Sequence, residues 1–137
     1  MKLIKTIQVM RTCAQKARVH GKCISFVPTM GALHDGHLAL VRNAKREQGF
    51  VVVSIFVNPT QFNNSSDFDK YPNQLANDLA LLKNEGVDCV FLPSVDEMYG
   101  KEALLNFNFG YLETIMEGQY RPGHFNGVAT IVAKLFN

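Results

Sequence analysis

A chain of 137 residues fits one domain with room for a core, and 47% hydrophobic against 19% charged residues is ordinary for a globular protein. With 14 Lys and Arg against 12 Asp and Glu, the formal charge is +2 and no block of like charge occurs, which excludes a sequence-evident nucleic-acid surface. No apolar run is long enough to span a bilayer, and Lys5, Gln8 and Arg11 interrupt the N-terminal residues where a signal peptide would be continuous.

Starting at Thr6, a favourable N-cap, Ile7, Met10, Ala14 and Ala17 recur at helical spacing until Gly21, which predicts a first amphipathic helix. Residues 22–27 read as a short buried strand that Pro28 stops. Leu38, Val41 and Ala44 then mark a helix over 36–48, with Gly49 as its left-handed cap. Residues 50–57 are an almost unbroken β-branched and aromatic run, the pattern of a central parallel strand buried on both faces. A loop over 58–72 follows, including the polar stretch 63–67. Leu75, Leu79 and Leu82 define a further helix closed by Gly86, and 88–92 a third strand before Pro93. Residues 106–109 suit an edge strand and 112–117 a short helix or turn. Beyond Arg121-Pro122-Gly123-His124, an apolar stripe of Val128, Ile131, Val132 and Leu135 predicts a last helix. It runs into Leu135-Phe136 without a cap, so its packing partner is expected to lie outside this chain or in a second copy of it.

The pattern is βαβαβ. It predicts an α/β fold, a Rossmann-like doubly wound parallel sheet, with ligands at the carboxyl ends of the strands. Two such ends are polar: residues 28–35 after the first strand and 58–62 after the second. Nothing comparably polar follows the third. Cys13, Cys23 and Cys89 are odd in number, lack CxxC spacing, and two of them fall in strand-like runs, as free thiols in a reducing compartment do. A cytoplasmic location is expected.

Met30-Gly31-Ala32-Leu33-His34-Asp35-Gly36-His37 is the most informative stretch, because it sets two imidazoles three residues apart at a strand-to-helix turn. Unpaired N–H groups of the first helical turn and the positive end of the helix dipole suit an anion there, and the rings add directed donors. A nucleotide phosphate is the natural ligand. A zinc half-site is the competing reading, but His20 and His124 lie outside the motif and the cysteines have core character, so no metal site is expected. A plain solvated surface is the other reading for the histidines, and plain turn chemistry for Gly31, Gly36 and the Asn58-Pro59-Thr60-Gln61 loop.

In order along the chain, Pro28-Thr29-Met30-Gly31-Ala32-Leu33-His34-Asp35-Gly36-His37, then Val53-Ser54-Ile55-Phe56-Val57-Asn58-Pro59-Thr60-Gln61-Phe62, then Arg121-Pro122-Gly123-His124-Phe125 and Lys134-Leu135-Phe136-Asn137, resemble the pantothenate synthetase family. The HxGH element alone implies only the wider nucleotidyltransferase superfamily; the Asn-Pro-Thr-Gln-Phe loop narrows it. The resemblance implies an ATP-dependent ligase that joins pantoate to β-alanine through a pantoyl adenylate, releasing AMP and pyrophosphate, with Mg2+ and as a homodimer. It implies ATP contacts along residues 30–37, namely Met30, Gly31, Ala32, Leu33, His34, Asp35, Gly36 and His37. Catalysis falls to His34 and His37, with His37 as the proton donor toward pyrophosphate. Pantoate and β-alanine are assigned to Gln61, Asn58, Pro28, Thr29, Met30 and Phe62, and Met30 and Phe62 can wall pantoate's gem-dimethyl group.

The family extends past residue 137 into a lid domain, so residues 1–137 are expected to be an N-terminal nucleotide-binding domain, inactive by itself. Asn73, where the family has Arg, and Asn77 before Asp78, where an acidic pair is common, depart from the pattern. Two other readings stay open: a nucleotidyltransferase passing AMP or CMP to a phosphorylated acceptor, which the lack of Lys and Arg in residues 58–62 disfavours, and a non-catalytic nucleotide-binding or dimerisation module.

Overall fold

The computed structural model describes residues 1–47, 49–62, 71–72, 74–100 and 107–137. Four parallel strands form one sheet in the order β1-β4-β3-β2, with β1 at Lys2–Ile4, β2 at Ile24–Thr29, β3 at Phe50–Ile55 and β4 at Cys89–Phe91. Three of these strands are predicted by the sequence pattern. The fourth, β1, is only three residues long and too short to show a period; its pairing with β4, Lys2 opposite Cys89 through Ile4 opposite Phe91, creates it.

Helix α1 (Ile7–Val19) joins β1 to β2, α2 (Asp35–Arg46) joins β2 to β3, and α3 (Leu75–Asn84) precedes β4. After β4 come α4 (Val95–Tyr99), a 3-10 turn at Gly110–Thr114, α5 (Glu117–Tyr120) and α6 (His124–Phe136). One sheet face packs Val27, Val51, Val53 and Val90 against Val41 and Ala44 of α2 and Leu79 and Leu82 of α3. The other packs Val52, Phe56 and Phe91 against Ile7 and Met10 of α1 and Ile131, Val132 and Leu135 of α6. Val41, Val51, Val53, Leu82 and Val90 are fully buried, each side chain contributing about 2 kcal/mol. Because both faces are covered, β3 reads as a continuous apolar run.

Several expectations are corrected. Pro28 lies inside β2, opposite Ser54, because β2 is an edge strand and a missing N–H is harmless at an edge. Cys23 precedes the strand and is exposed, whereas Cys89 is buried and its thiol is pushed up to about 12, chiefly by burial. Helix α2 ends at Arg46 with Glu47 as its C-cap, so Gly49 is not its cap. A Cβ there would come within 2.8 Å of Ser25 Oγ and 3.0 Å of the Cys23 carbonyl, so close approach of the chain calls for glycine. Thr6 occupies the N-cap of α1 without a side-chain bond; Glu97 of α4 instead accepts the Ile7 N–H at 2.8 Å. Residues 107–109 form no strand, and 112–117 divides between the 3-10 turn and α5. The stripe on α6 finds its partner within the chain, on the sheet face it shares with α1, and the Phe136 ring meets Phe26 edge-on at 5.2 Å. The loop residues 63–67 lie outside the described residues.

Candidate active site

The chain leaving β2 turns sharply at Gly31 (φ +83°) and Ala32 (φ +49°) before α2 begins. This left-handed pair is strained at Ala32, and it is held by one side chain from far along the chain. Asp78 of α3, only 1% exposed, accepts the Ala32 and Leu33 N–H groups, each at 2.9 Å. A Cβ on Gly31 would sit 3.0 Å from that carboxylate, so only glycine lets the loop close on it. Thr29 completes the turn: its hydroxyl donates to the Ser54 carbonyl at 2.7 Å and accepts from Gly31 N–H at 3.2 Å.

This geometry brings the two histidines together. His34 is the N-cap of α2, and its Nδ1 accepts from Gly36 N–H at 3.1 Å; His37 Nδ1 accepts from His34 N–H at 3.4 Å, a reciprocal capping box. The ring centroids are 4.1 Å apart. With both Nδ1 atoms accepting, the neutral rings carry their protons on Nε2, away from the backbone. Burial first, and then the neighbouring His34, lower the His37 pKa, which favours that neutral form; Asp78 opposes weakly. The free N–H groups expected at this helix start are therefore partly engaged. Those of Ala32 and Leu33 go to Asp78, and those of His34 and Gly36 to the rings, so directed donation outward falls to Nε2–H.

The second loop leaves β3 and makes a 3-10 turn at Pro59–Gln61. Asn58 is 1% exposed and wholly engaged: Nδ2 donates to the Gly127 carbonyl at 3.0 Å and Gln61 Oε1 at 3.1 Å, while Oδ1 accepts from Tyr99 and Thr60. Gln61 Nε2 approaches Met30 Sδ at 3.0 Å, joining the two loops. Helix α6 lies directly on the turn. His124 Nδ1 donates to the Gln61 carbonyl at 3.1 Å, and a Cβ on Gly127 would collide with the Thr60 carbonyl and lie 2.9 Å from Gln61 N.

Between the loops and α6 lies a cleft of about 270 Å³, lined on one side by Pro28, Thr29, Met30, His37 and Gln61 and on the other by apolar residues of α6. Phe56, Asn58 and Tyr71 complete its lining, which contains no Lys or Arg among the described residues. A larger hollow of about 570 Å³ between α1 and α6 has no histidine and lies away from both loops. Among the described residues no three His, Cys, Asp or Glu side chains converge on a metal position, and Asp78 has both oxygens engaged, so these residues do not fit a resident magnesium ion.

The family model described as Pantoate-beta-alanine ligase matches residues 2–137. The chain belongs to that family. A pantothenate synthetase of Carboxydothermus hydrogenoformans is 54% identical over 139 residues, spanning 100% of this chain and 49% of its own length; that of Aquifex aeolicus is 52% identical over 135 residues, spanning 98% and 48%. The Francisella tularensis pantoate-beta-alanine ligase, solved complexed with Beta-gamma ATP and Beta-alanine, superposes with a TM-score of 0.92 at 44% identity, covering 99% of this chain and 52% of that one. Pantothenate synthetase from Thermus thermophilus gives 0.83 at 46% identity, covering 99% of this chain and 48% of that one. The chain thus spans about half the length of the relatives it matches.

The sequence-predicted residues separate by position. Met30, His37, Gln61, Pro28 and Thr29 line one cleft, with exposed His34 beside His37. Leu33 is a core residue, Gly31 and Ala32 shape the turn, and exposed Asp35 and Gly36 open α2. Phe62 is not among the cleft residues; its ring meets Tyr71 edge-on at 6.0 Å, and Tyr71 forms the wall. Asn77 is exposed beside buried Asp78, and Asn73 lies outside the described residues. Asp78, Tyr71, Tyr99 and Gly127 are absent from the sequence-predicted set. Only Gly127 carried a local signal, a glycine inside an otherwise apolar helical pattern.

Proposed function

We propose that this chain supplies the nucleotide- and acid-binding part of an ATP-dependent ligase that condenses pantoate with β-alanine, residues 1–137 being the N-terminal domain of a longer, homodimeric protein of the cytoplasm. The observation that carries the reading is the pair of outward-facing imidazoles, 4.1 Å apart, at the mouth of a cleft whose other loop presents Gln61. Family membership and the ATP and β-alanine named for the Francisella relative support it.

In the first step a pantoate carboxylate oxygen attacks the α-phosphorus of ATP; the new P–O bond replaces the bond to pyrophosphate, which leaves with its electron pair. In the second, the β-alanine amine attacks the acyl carbon, the amide C–N bond forms, and AMP departs with the mixed-anhydride oxygen. The work of the protein is placement and neutralisation of charge. His34 and His37 donate hydrogen bonds from Nε2–H to phosphate oxygens. Passing a proton on to the leaving pyrophosphate requires the imidazolium form of His37, which costs the Nδ1 cap and runs against the lowered pKa, so the chief work of the ring is hydrogen bonding to the charge that develops on the leaving group. Met30, Val128, Ile131 and Val132 give the gem-dimethyl group of pantoate an apolar wall, and Gln61 binds an oxygen of the acid. Magnesium arrives with the triphosphate.

A nucleotidyltransferase acting on a phosphorylated acceptor fits less well, since no described cleft residue is a cation. Exchange of labelled pyrophosphate into ATP by the full-length protein tests the reading. Exchange that depends on pantoate is expected, and exchange independent of it rejects the assignment.

A further inference from the structure

Tyr99 stands on α4, after the one strand whose carboxyl end offered no polar loop, yet its hydroxyl reaches the second loop of the site. It donates to Asn58 Oδ1 at 2.5 Å and lies 3.1 Å from Thr60 Oγ1, which also reaches Asn58 Oδ1 at 3.1 Å. Its ring is fixed in place by Phe56, 6.4 Å away between centroids, and by Lys134, whose Nζ lies 5.5 Å over the ring. We infer that Tyr99, acting through Asn58, holds firm the orientation in which the Gln61 amide turns its NH2 to the cleft and thereby sharpens the selection of an acid over its neutral amide.

Donors and acceptors of fixed polarity identify the orientation, and the Tyr99 bond, the shortest to Oδ1, adds most to holding it. The Thr60 N–H can only donate and the Gly127 carbonyl can only accept, and they meet opposite ends of the Asn58 amide, at 3.4 and 3.0 Å. Asn58 Oδ1 therefore faces Tyr99 and Thr60, and Nδ2 faces Gly127 and Gln61. Because Nδ2 donates, Gln61 must answer with Oε1, which it does at 3.1 Å. Its Nε2 is left on the Met30 side, within the cleft. The site thus offers N–H donors from Gln61, which suit a carboxylate and leave the NH2 of a carboxamide without an acceptor. Burial raises the Tyr99 pKa, which keeps the phenol protonated as the donor the chain needs. Without its hydroxyl, Asn58 Oδ1 keeps the longer Thr60 bonds, at 3.1 and 3.4 Å, and the two amides are held less firmly in this polarity. Tyr99 is then a positioning residue: it touches no substrate and acts through Asn58 and Gln61.

The inference rests on the ligase reading for its ligand but not for its geometry, and the experiment separates the two. In the full-length protein, the affinities for pantoate and for its carboxamide analogue are measured in wild type, Tyr99→Phe and the double variant Tyr99→Phe/Thr60→Val, together with the side-chain amide NMR signals of Asn58 and Gln61 without ligand. Wild type is expected to favour the acid strongly. The preference should fall about tenfold in Tyr99→Phe and further in the double variant, with ATP affinity unchanged, since a site built to bond a polar group discriminates by that bond. A general loss of structure would weaken acid, amide and ATP alike and leave the ratio unmoved. A ratio unchanged in both variants overturns the inference, as does an Asn58 amide signal in wild type without the downfield shift of a doubly bonded NH2. Failure of wild type to bind pantoate at all overturns the ligase reading, while the ligand-free amide signals still decide the polarity of Asn58 and Gln61.

Discussion

The two loops of the candidate site sit at the same edge of the sheet and are held in opposite ways. The histidine loop hangs on a single charge: both oxygens of buried Asp78 accept its N–H groups, and Ala32 stays in a left-handed conformation as a result. Among the described residues no carboxylate, Lys or Arg bonds to the Asn58 loop. Neutral bonds from Tyr99, Thr60, the Gly127 carbonyl and His124 share the task, and α6 presses on the turn where Gly127 lacks a side chain. A charge-assisted anchor is strong but brittle, because losing it strands two donors at once; a mesh of neutral bonds fails by degrees. The loop proposed to hold a polyanion is thus the one with the stiffer support.

Breaking that contrast starts with Asp78. Asp78→Ala leaves the Ala32 and Leu33 N–H groups without acceptors, and a loss of about 3 kcal/mol in urea unfolding is expected. A loss below about 1 kcal/mol would show that the loop has other support.

Close behind comes His37→Ala, which should slow adenylate formation in the full-length protein by about 3 kcal/mol at the transition state, read in a single turnover. An unchanged rate removes His37 from the chemistry. Gly127→Ala forces α6 off the Asn58 turn and should cost about 2 kcal/mol in stability, with weaker acid binding and ATP binding retained. Equal loss of both ligands would mean that the loops are not independently held.

The smallest effect is that of pH. With the His37 pKa lowered in the folded protein, the unfolded chain binds the extra proton first. Stability from this group is therefore present above the ordinary histidine pKa, ~6.5, and declines as pH falls from there through the folded value. A thermal-melt series between roughly pH 7 and 5 should show His37→Gln flatter than wild type. Identical slopes would contradict the lowered value.

Much of this is legible in the sequence. Gly31 and the paired histidines announce a turn into a helix through local chemistry, and the run from residue 50 announces a strand covered on both faces. Pro28 misled because a proline marks a strand's end only when its N–H is needed, and at the edge position of β2 it is not. The stripe on α6 was visible as apolar, but whether it faced a missing partner, the sheet or a cleft depended on where the helix lay; it faces both the sheet and the cleft.

Most element types, the two polar strand ends and the pairing of His34 with His37 at a helix start follow from the sequence alone, because propensity, periodicity and side-chain chemistry are properties of neighbouring residues. Tertiary structure decided who holds those residues in place. Asp78 reaches Ala32 across 46 positions and Tyr99 reaches Asn58 across 41, and β1 exists as a strand through its pairing with β4. Hydrogen bonds between distant residues carry no period along the chain, so the supports of the site emerge only when the sheet has brought its strand ends together.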